Sequence, residues 1–448
     1  MRHRRGQWFP LKNNSFLVSL TLFLLWMFVL TGWLAACQPT AVDAPAAAQP
    51  NQPYTIYLYN ALSEEDDANR LTPLDPETLS DQSEKQNVEL GRIWLLSNDG
   101  STLVNAEYLA GRASLDPEDI WITVYDFQSG EEHGRYHPPV RGWLSAISAD
   151  GARLLLQPDP YTLSQYPPSV EWHVLDSATG EVVGHIEDDN NACFRQRAYF
   201  DAAGARIYCV VDPALSESNE PQPLQIVAYD IESGHRTGEI ELPDVLIGNT
   251  QTNNNDQLSS TFTEPAVELS PDGKHLIVVA AEADKVLVLD APSLTIAQTV
   301  SFKPQPSVGL LERFGLVPTA AYAKGEMEGT IRQAAVSTDG RYLYLFSQVL
   351  WTRPEDQPEE RGLWLVDLEQ GRFVTSALAE YQIQWVKPAP DGTVYAFGTT
   401  EERLVPYEIR PTSPSMLWRL DGRTLEVLAE RPFTGFRQAW VIREPTEQ

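Results

Sequence analysis

Residues 268–290 have the sequence ELSPDGKHLIVVAAEADKVLVLD. The segment contains the pair Asp272-Gly273, two nearly continuous apolar runs and a closing aspartate, Asp290. Asp-Gly between apolar runs is a strong hairpin signal, because glycine accepts positive φ and aspartate can hydrogen-bond its own turn. The segment therefore predicts consecutive antiparallel strands, the first two of which are joined by a tight turn.

Both halves of this segment recur along the chain. A short strand ends in an Asp-Gly or equivalent turn at Asp99-Gly100, Asp150-Gly151, Asp201 to Gly204, Asp272-Gly273, Asp339-Gly340 and Asp391-Gly392. An apolar strand ends in a closing aspartate at Asp75, Asp126, Asp176, Asp230, Asp290, Asp367 and Asp421. Spacings of about 50 to 80 residues between these aspartates predict a repeated unit of four strands.

This repeat predicts an all-β fold, a seven-bladed β-propeller. The middle strands, such as 276–280 and 286–289, are continuously apolar, which indicates that both faces of each sheet are covered. A blade packed between two neighbouring blades has this cover. The first closing aspartate lacks an Asp-Gly partner, so we expect Phe436 to Val441 to supply the missing innermost strand and close the ring. Six or eight blades remain compatible with the sequence.

Residues 268–290 resemble one repeat of the bacterial YVTN and WD40-like propellers. The resemblance is strong over this segment and weaker in the other repeats. It implies a fold and not an activity, because the propeller fold hosts many functions.

The N-terminus has the layout of an export signal. Basic residues between Arg2 and Lys12 precede an apolar stretch, 16–33, and then Leu34-Ala35-Ala36-Cys37. The last four residues resemble the lipobox of bacterial lipoproteins, which implies that residues 1–36 are removed and that the Cys37 thiol carries lipid. The alternative is an uncleaved signal anchor, since the apolar stretch approaches the length of about 20 residues that spans a membrane.

The rest of the chain divides into two parts. Residues 37–53, rich in alanine, proline and glutamine, are predicted to be a solvated tether, and residues 54–448 are predicted to be the propeller. We therefore expect a protein of the bacterial cell envelope that faces the extracytoplasmic side and contacts the lipid bilayer through acylated Cys37. The formal net charge of −29 argues against a nucleic-acid partner, because phosphate binding needs a basic face.

The chain has three cysteines, and an oxidising compartment permits a disulfide between Cys193 and Cys209. The predicted hairpin places Gln196 opposite Cys209, so a bridge would require the chain to curl at Cys193. The sequence leaves both states open.

The predicted long connections all lie on one face of the propeller, which we call the loop face. They join the second and third strands of a blade or cross from one blade to the next, and elaboration on one face of a rigid scaffold is typical of a functional surface. Aromatic residues make good interface anchors, so we predict partner contacts at Tyr161, Tyr166, Trp351 and Tyr407. The alternative is that these loops are solvated insertions without function.

Arginines recur near the loop-face ends of the predicted innermost strands: Arg92, Arg141, Arg195, Arg197, Arg332 and Arg437. The planar guanidinium group suits carboxylate or phosphate. The pattern predicts a binding site for an anionic small molecule or glycan at the mouth of the central channel. The alternative is that these arginines pair with local acids such as Glu264 and Glu268.

The sequence contains no catalytic motif that we recognise, and neither a metal site nor a cofactor is predicted. His133 and His137 lie in an expected edge strand without a clustered carboxylate or cysteine. The first hypothesis is a noncatalytic binding module for an envelope protein or an anionic ligand. The alternative is an extracytoplasmic hydrolase or lactonase at the arginine-bearing channel mouth. An enzyme would need a general base there, and only Glu264 and Glu268 stand out.

Overall fold

The computed structural model describes residues 53–60, 70–82, 88–90, 93–108, 117–157, 170–188, 193–211, 221–254, 257–280, 285–301, 330–349, 362–399, 414–434 and 437–443. The chain divides into two units, Met1–Ala48 and Gln49–Gln448. The first unit, with the predicted signal and Cys37, lies outside the described residues. No helix in the described ranges is long and apolar enough to cross a membrane.

The secondary structure of the described residues is nearly all β. The first fifteen strands are β1 (Tyr54–Asn60), β2 (Arg70–Leu74), β3 (Val88–Glu89), β4 (Ile93–Leu96), β5 (Thr102–Tyr108), β6 (Ile120–Asp126), β7 (Glu132–Tyr136), β8 (Trp143–Ile147), β9 (Arg153–Gln157), β10 (Val170–Asp176), β11 (Val182–Asp188), β12 (Cys193–Phe200), β13 (Arg206–Val211), β14 (Gln222–Asp230) and β15 (Arg236–Asn254). The others are β16 (Gln257–Glu264), β17 (Ala266–Leu269), β18 (His275–Val279), β19 (Lys285–Asp290), β20 (Thr295–Ser301), β21 (Thr330–Val336), β22 (Tyr342–Val349), β23 (Leu363–Asp367), β24 (Arg372–Ala377), β25 (Gln382–Pro388), β26 (Thr393–Thr399), β27 (Pro414–Asp421), β28 (Val427–Thr434) and β29 (Arg437–Arg443). A single 3₁₀ turn, Pro117–Asp119, precedes β6 in the described part of the chain.

These strands form five hydrogen-bonded sheets in a propeller arrangement. Four sheets have four antiparallel strands each, and the fifth, of thirteen strands, contains three further antiparallel runs of four and the additional strand β16. Strand β16 pairs antiparallel with β15 and parallel with β21, and β20 has a short parallel contact with β24. We call these seven runs modules A (β29-β1-β2-β3), B (β4 to β7), C (β8 to β11), D (β12 to β15), E (β17 to β20), F (β21 to β24) and G (β25 to β28). Module A joins the two ends of the described chain, because β29 pairs with β1 from Arg443 opposite Tyr54 to Arg437 opposite Asn60.

The turns between the first two strands of modules B to G have the structure that the Asp-Gly pattern predicts. Gly273 has a φ of 69°, and its N–H donates to the Ser270 carbonyl at 2.8 Å. The Asp272 carboxylate accepts a hydrogen bond from the Ser270 hydroxyl at 2.6 Å. The same glycine N–H bond closes the other five turns at Gly100, Gly151, Gly204, Gly340 and Gly392.

The closing aspartates hold the turns between the third and fourth strands. The Asp126 carboxylate accepts hydrogen bonds from the N–H groups of Gln128 at 3.1 Å and Ser129 at 2.7 Å. The backbone hydrogen bond from Ser129 is the largest cause that lowers the pKa of Asp126. All seven closing aspartates accept such a bond from a backbone N–H two or three residues later. Their role as turn formers is confirmed.

These turns also require positive φ four residues after the aspartate. Glycine occupies that position in modules B, C, D and F, whereas leucine occupies it in the others: Leu79 with φ 60°, Leu294 with φ 50° and Leu425 with φ 59°. All three leucines are buried. Burial of a leucine side chain contributes about 1.5–3 kcal/mol, which offsets a left-handed conformation that costs roughly 1–2 kcal/mol.

The middle strands bury both faces, as their apolar runs predict. On β18, Leu276 and Val278 belong to the core shared with module D, whereas Ile277 and Val279 belong to the core shared with module F. Adjacent residues of one strand therefore pack into two different cores. Each middle strand is covered by a neighbouring module on each side.

The first strands of consecutive modules lie against one another. Strand β8 contacts β4 and β12, β21 contacts β17 and β25, and β25 contacts β29. The hydroxyl of Tyr199 on β12 donates to the Val267 carbonyl of β17 at 2.7 Å, and Trp440 of β29 packs against Trp94 of β4. The first strand of each module is thus the innermost one.

Residues 246–264 differ from the sequence expectation of a long crossover loop. They form the end of β15 and all of β16, which pair from Gly248 opposite Thr263 to Asn254 opposite Gln257. Residues 255 and 256, which connect the two strands, lie outside the described residues.

The surroundings of Cys209 also differ from the expected register. Ala198, and not Gln196, lies opposite Cys209, because the pairing is interrupted by a bulge between Cys193 and Ala198. Cys193 itself pairs with Val211. Cys209 is disulfide-bonded, so the local chain path does not prevent a bridge.

Candidate functional site

Two ionisable residues of opposite charge occupy equivalent positions on innermost strands. Glu268 on β17 stands two residues before Ser270, whose carbonyl closes the turn of module E, and Lys387 on β25 stands two residues before Ala389, which has the same role in module G. Both side chains are half-buried. The repeat therefore places an acidic and a basic side chain at equivalent positions along two inner strands.

Burial shifts the pKa of both groups. It raises the pKa of the Glu268 carboxyl to about 7, although the positive charges of Arg197 and Lys387 lower it. Burial lowers the pKa of the Lys387 ammonium, and the negative charge of Glu268 opposes this effect. A buried carboxyl group whose pKa is raised toward neutrality is a marker of functional sites.

Arg197 on β12 lies beside this pair and has an acid of its own. Its Nη1 donates to the Pro265 carbonyl at 2.5 Å, and its Nη2 donates to Glu264 Oε1. The two side chains are 18% and 11% exposed. This arginine pairs with a local acid, which is the alternative that the sequence left open.

An aromatic wall continues from Lys387. Its Nζ lies 5.4 Å from the centroid of the Trp440 ring, a distance at which a cation is attracted to the face of an indole. Trp440 meets Trp94 edge to face at 4.9 Å, and Trp94 meets Tyr59 at 5.2 Å. The buried indole N–H of Trp440 has no hydrogen-bond partner among the described residues. We call Arg197, Glu264, Glu268, Lys387 and Trp440 the inner-strand cluster.

The structure describes the side chains of two other predicted arginines, and they differ in burial. Arg141 is exposed before β8, whereas Arg332 on β21 is buried, with 4% of its surface exposed. Arg92 lies outside the described residues, and the side chains of Arg195 and Arg437 are not described either. The predicted partner residues also lie outside the described residues: Tyr161, Tyr166, Trp351 and Tyr407.

Sequence reasoning did not identify Lys387 or Trp440 as site residues. Lysine is rare in this acidic chain, and Lys387 stands at the same offset from its turn as Glu268. Those two signals together could have identified it. Trp440 packs against Trp94 of the neighbouring module and also lies beside Lys387, a contact that no local pattern indicates.

The inner-strand cluster has the chemistry of a binding site and of proton transfer. Among the described residues, Glu268 is the only charge that shifts the Lys387 pKa, so a ligand carboxylate or phosphate could replace or share that interaction. The aromatic wall beside the amine offers an apolar surface for a sugar ring or a similar body. A carboxyl with a pKa of about 7 can accept or release a proton near neutral pH.

Comparison with known proteins finds distant likeness to solved propellers. No family model matches the chain, and no curated protein matches it. It is similar to the periplasmic gluconolactonase of Pseudomonas aeruginosa at 14% identity over 88% of this chain and 99% of that one, with a TM-score of 0.49. Hydrazine synthase of Kuenenia stuttgartiensis is 15% identical over 78% of this chain and 94% of that one, with a TM-score of 0.43. A β-propeller domain from Myceliophteria thermophila is 12% identical over 77% of this chain and 87% of that one, with a TM-score of 0.39. At these values the likeness says nothing about activity.

Proposed function

We propose that this chain is a membrane-anchored extracytoplasmic β-propeller of seven blades that binds an anionic small molecule or glycan on its innermost strands. Modules A to G are the seven blades, and the C-terminal strand β29 closes the ring. The proposal rests chiefly on one observation: the Lys387 ammonium, on an innermost strand, lies 5.4 Å from the centroid of the Trp440 ring. The charge of Glu268, on the innermost strand of another module, raises the Lys387 pKa.

The closed ring is supported by contacts between consecutive inner strands. Contacts of strands link B to C, C to D, E to F, F to G and G to A. The Tyr199 hydroxyl links D to E, and the edge-to-face pair of Trp440 and Trp94 links A to B. The pairing of β29 with β1 places the C-terminal strand in the first blade. A series of contacts that returns to its starting module is what a closed propeller requires.

The ligand class follows from the charges and the aromatic wall. Among the described residues, the Lys387 ammonium has no hydrogen-bonded acid, whereas Arg197 is paired with Glu264. Trp440 and Trp94 lie beside it and would pack against the body of a ligand. A sugar that carries a carboxylate or a phosphate combines the two features.

Thermal-shift measurements on the purified full-length chain in detergent test this binding. Uronates and sugar phosphates are compared with the corresponding neutral sugars, for the native chain, for Lys387→Met and for the matched control Lys274→Met on an exposed turn. A ligand that binds only the folded state stabilises it by about 2.7 kcal/mol at one hundred times its Kd. We expect an anionic sugar to raise the Tm of the native chain and of the control only. An equal rise in Lys387→Met would refute the proposed site.

The lipid anchor is tested separately. We expect incorporation of a labelled fatty acid into the native chain and its loss in Cys37→Ser, together with release of the protein from the membrane fraction. Retention of the label in Cys37→Ser would contradict the lipobox assignment.

Hydrolysis of a lactone or another carboxylic ester is a second candidate, and the raised pKa of Glu268 favours it. In this reaction the Glu268 carboxylate takes a proton from water, the resulting hydroxide bonds to the acyl carbon, and the carbon–oxygen bond to the leaving group breaks. The proton then passes from Glu268 to the leaving alkoxide, and Lys387 stabilises negative charge on the acyl oxygen.

A pH-stat assay with a sugar lactone tests this reaction. Since only the ionised carboxylate acts as a base, kcat/KM should rise as the pH passes through about 7. We expect Glu268→Gln to lower kcat/KM by roughly 10²-fold or more, with Lys274→Met unchanged. Equal rates for the native chain and Glu268→Gln would refute hydrolysis by Glu268, and binding would be the one proposed function that stands.

A further inference from the structure

Two histidines face each other on the outer strands of module C. His173 on β10 and His185 on β11 are direct cross-strand partners. Their rings stack with centroids 4.8 Å apart and an interplanar angle of 21°. The pair lies on the third and fourth strands of its module, far along the sheet from the innermost strand β8.

Glu171 completes a three-residue group on the same face. It precedes His173 by two residues, so the two side chains point to one side of β10. Its Oε1 lies 3.5 Å from His173 Nε2 and 3.2 Å from His185 Nε2. One potential ligand atom from each residue falls within 4.8 Å of the other two.

The opposite face of the same strands is rigidly packed. Trp172 and Ile186, the neighbours of His173 and His185 in sequence, are both buried in the core between modules C and D. Trp172 meets Tyr229 edge to face at 5.4 Å. Strands fixed in this way hold side chains on their outer face at defined positions, which is a requirement for preorganised ligands.

We propose that Glu171, His173 and His185 bind a divalent transition-metal ion of the zinc class. Imidazole nitrogen and carboxylate oxygen are zinc ligands, and two histidines with one glutamate form a three-residue zinc set that keeps a fourth position open. Tetrahedral zinc with bonds of about 2.0–2.2 Å sets its ligand atoms about 3.3–3.6 Å apart. The two distances from Glu171 Oε1 are close to that spacing.

The fourth position has a neighbouring candidate. Glu187 lies directly opposite Glu171 across the two strands, and it is exposed. It therefore stands on the same face as the histidines and can supply a further carboxylate oxygen, as can a water molecule. The exposed side chains of Glu171 and His185, at 62% and 44%, leave the site accessible to an ion from solution.

Calorimetric titration of the purified full-length chain with Zn²⁺ tests the site, with any affinity tag removed and millimolar Ca²⁺ present to occupy exposed carboxylates. The variants are Glu171→Gln and His185→Gln, and the matched control is His133→Gln, an exposed histidine on the outer strand β7. Circular dichroism melting establishes that each variant folds. Visible absorption of the Co²⁺-loaded chain reports the coordination geometry.

We expect one Zn²⁺ per chain, with binding weakened at least tenfold in both site variants and unchanged in His133→Gln. We also expect Co²⁺ absorption of four- or five-coordinate strength in the native chain and its loss in His185→Gln. Absence of Zn²⁺ binding to the native chain would overturn the proposal. So would undiminished binding in Glu171→Gln and His185→Gln, or a loss confined to His133→Gln.

Discussion

The ammonium group of Lys387 lies 5.4 Å from the centroid of the Trp440 ring. Lys387 belongs to β25 of module G, and Trp440 belongs to the C-terminal strand β29 of module A. Trp440 in turn packs against Trp94 of module B. One lysine therefore connects the charged part of the inner-strand cluster, through its coupling to Glu268, with an aromatic wall that extends over two further modules.

Replacement of Glu268 by glutamine should change how stability depends on pH. Burial raises the folded-state pKa of Glu268 from 4.5 to about 7, so between those values the folded chain holds a proton that the unfolded chain has lost. The free energy of unfolding contributed by this group is fully present below pH 4.5 and is lost as the pH rises through about 7. We expect Glu268→Gln to raise the Tm at pH 8 relative to the native chain, and to have a smaller effect at pH 4.5.

Urea unfolding at several pH values measures this difference. Glu426→Gln, at an exposed position on the connection before β28, is the control and should show no such dependence. An equal effect of Glu268→Gln at pH 4.5 and pH 8 would show that Glu268 is not desolvated in the folded chain.

The ion pair of Arg197 and Glu264 should be strongly coupled. Arg197→Met leaves a Glu264 carboxylate that is 11% exposed without its hydrogen-bonding cation, and we expect a loss of about 3 kcal/mol in the free energy of unfolding. The double variant Arg197→Met with Glu264→Gln should recover much of that loss, because no uncompensated charge remains.

A second ion pair gives the comparison. Arg153 and Asp176 are 35% and 34% exposed, and a pair of this exposure contributes about 0–1 kcal/mol. We expect the coupling energy from denaturant unfolding of the two double-mutant cycles to be clearly larger for Arg197 and Glu264. Equal coupling energies would contradict the buried character of that pair.

A leucine at positive φ should stabilise the fold, relative to glycine, where its side chain is buried. Leu425→Gly removes about 1–2 kcal/mol of left-handed strain but also a buried side chain whose loss costs about 2–5 kcal/mol. We expect a net loss of stability of about 1–3 kcal/mol in chemical denaturation. The contrasting variant is Gly130→Ala, where a Cβ would meet no atom within 4 Å; it gains no packing, so it should lose about 1 kcal/mol from strain alone. A stabilised Leu425→Gly would mean that strain outweighs burial at this turn.

Cys193 is the disulfide partner that we expect for Cys209. Cys209 is disulfide-bonded, Cys193 pairs with Val211 in the adjacent strand, and the third cysteine, Cys37, belongs to the predicted lipobox. Peptide mapping under nonreducing conditions should recover one linked pair of peptides that contain Cys193 and Cys209. Cys209→Ser should lower stability by about 3 kcal/mol, as expected for a closed loop of this length. Recovery of both residues as free thiols would refute the pairing.

The repeat was predictable because its signals are local. Asp-Gly turns and closing aspartates act within four residues, and the structure has them where the sequence placed them. The apolar runs of β18 and β19 predicted cover on both faces, and the division of their side chains between two cores confirms it.

The inner-strand cluster was less predictable because it depends on packing between modules. The contacts that matter join β12 to the end of β16 and to Pro265, and β25 to β29, segments that are far apart in sequence. An arginine pattern alone could not separate Arg197, paired with Glu264, from the exposed Arg141 or the buried Arg332. The group of His173 and His185 was missed for the same reason, since its members come together only through the register of β10 and β11.

The most direct test of the inner-strand cluster is the titration of the Glu268 carboxyl carbon by NMR. The chain is labelled at glutamate with ¹³C, and the Glu268 signal is identified as the one absent from Glu268→Gln. We predict a titration midpoint near pH 7, which moves higher in Lys387→Met because the positive charge of Lys387 no longer lowers the pKa. A midpoint near 4.5 that is unchanged in Lys387→Met would show that the two residues do not form the coupled pair on which the proposed site depends.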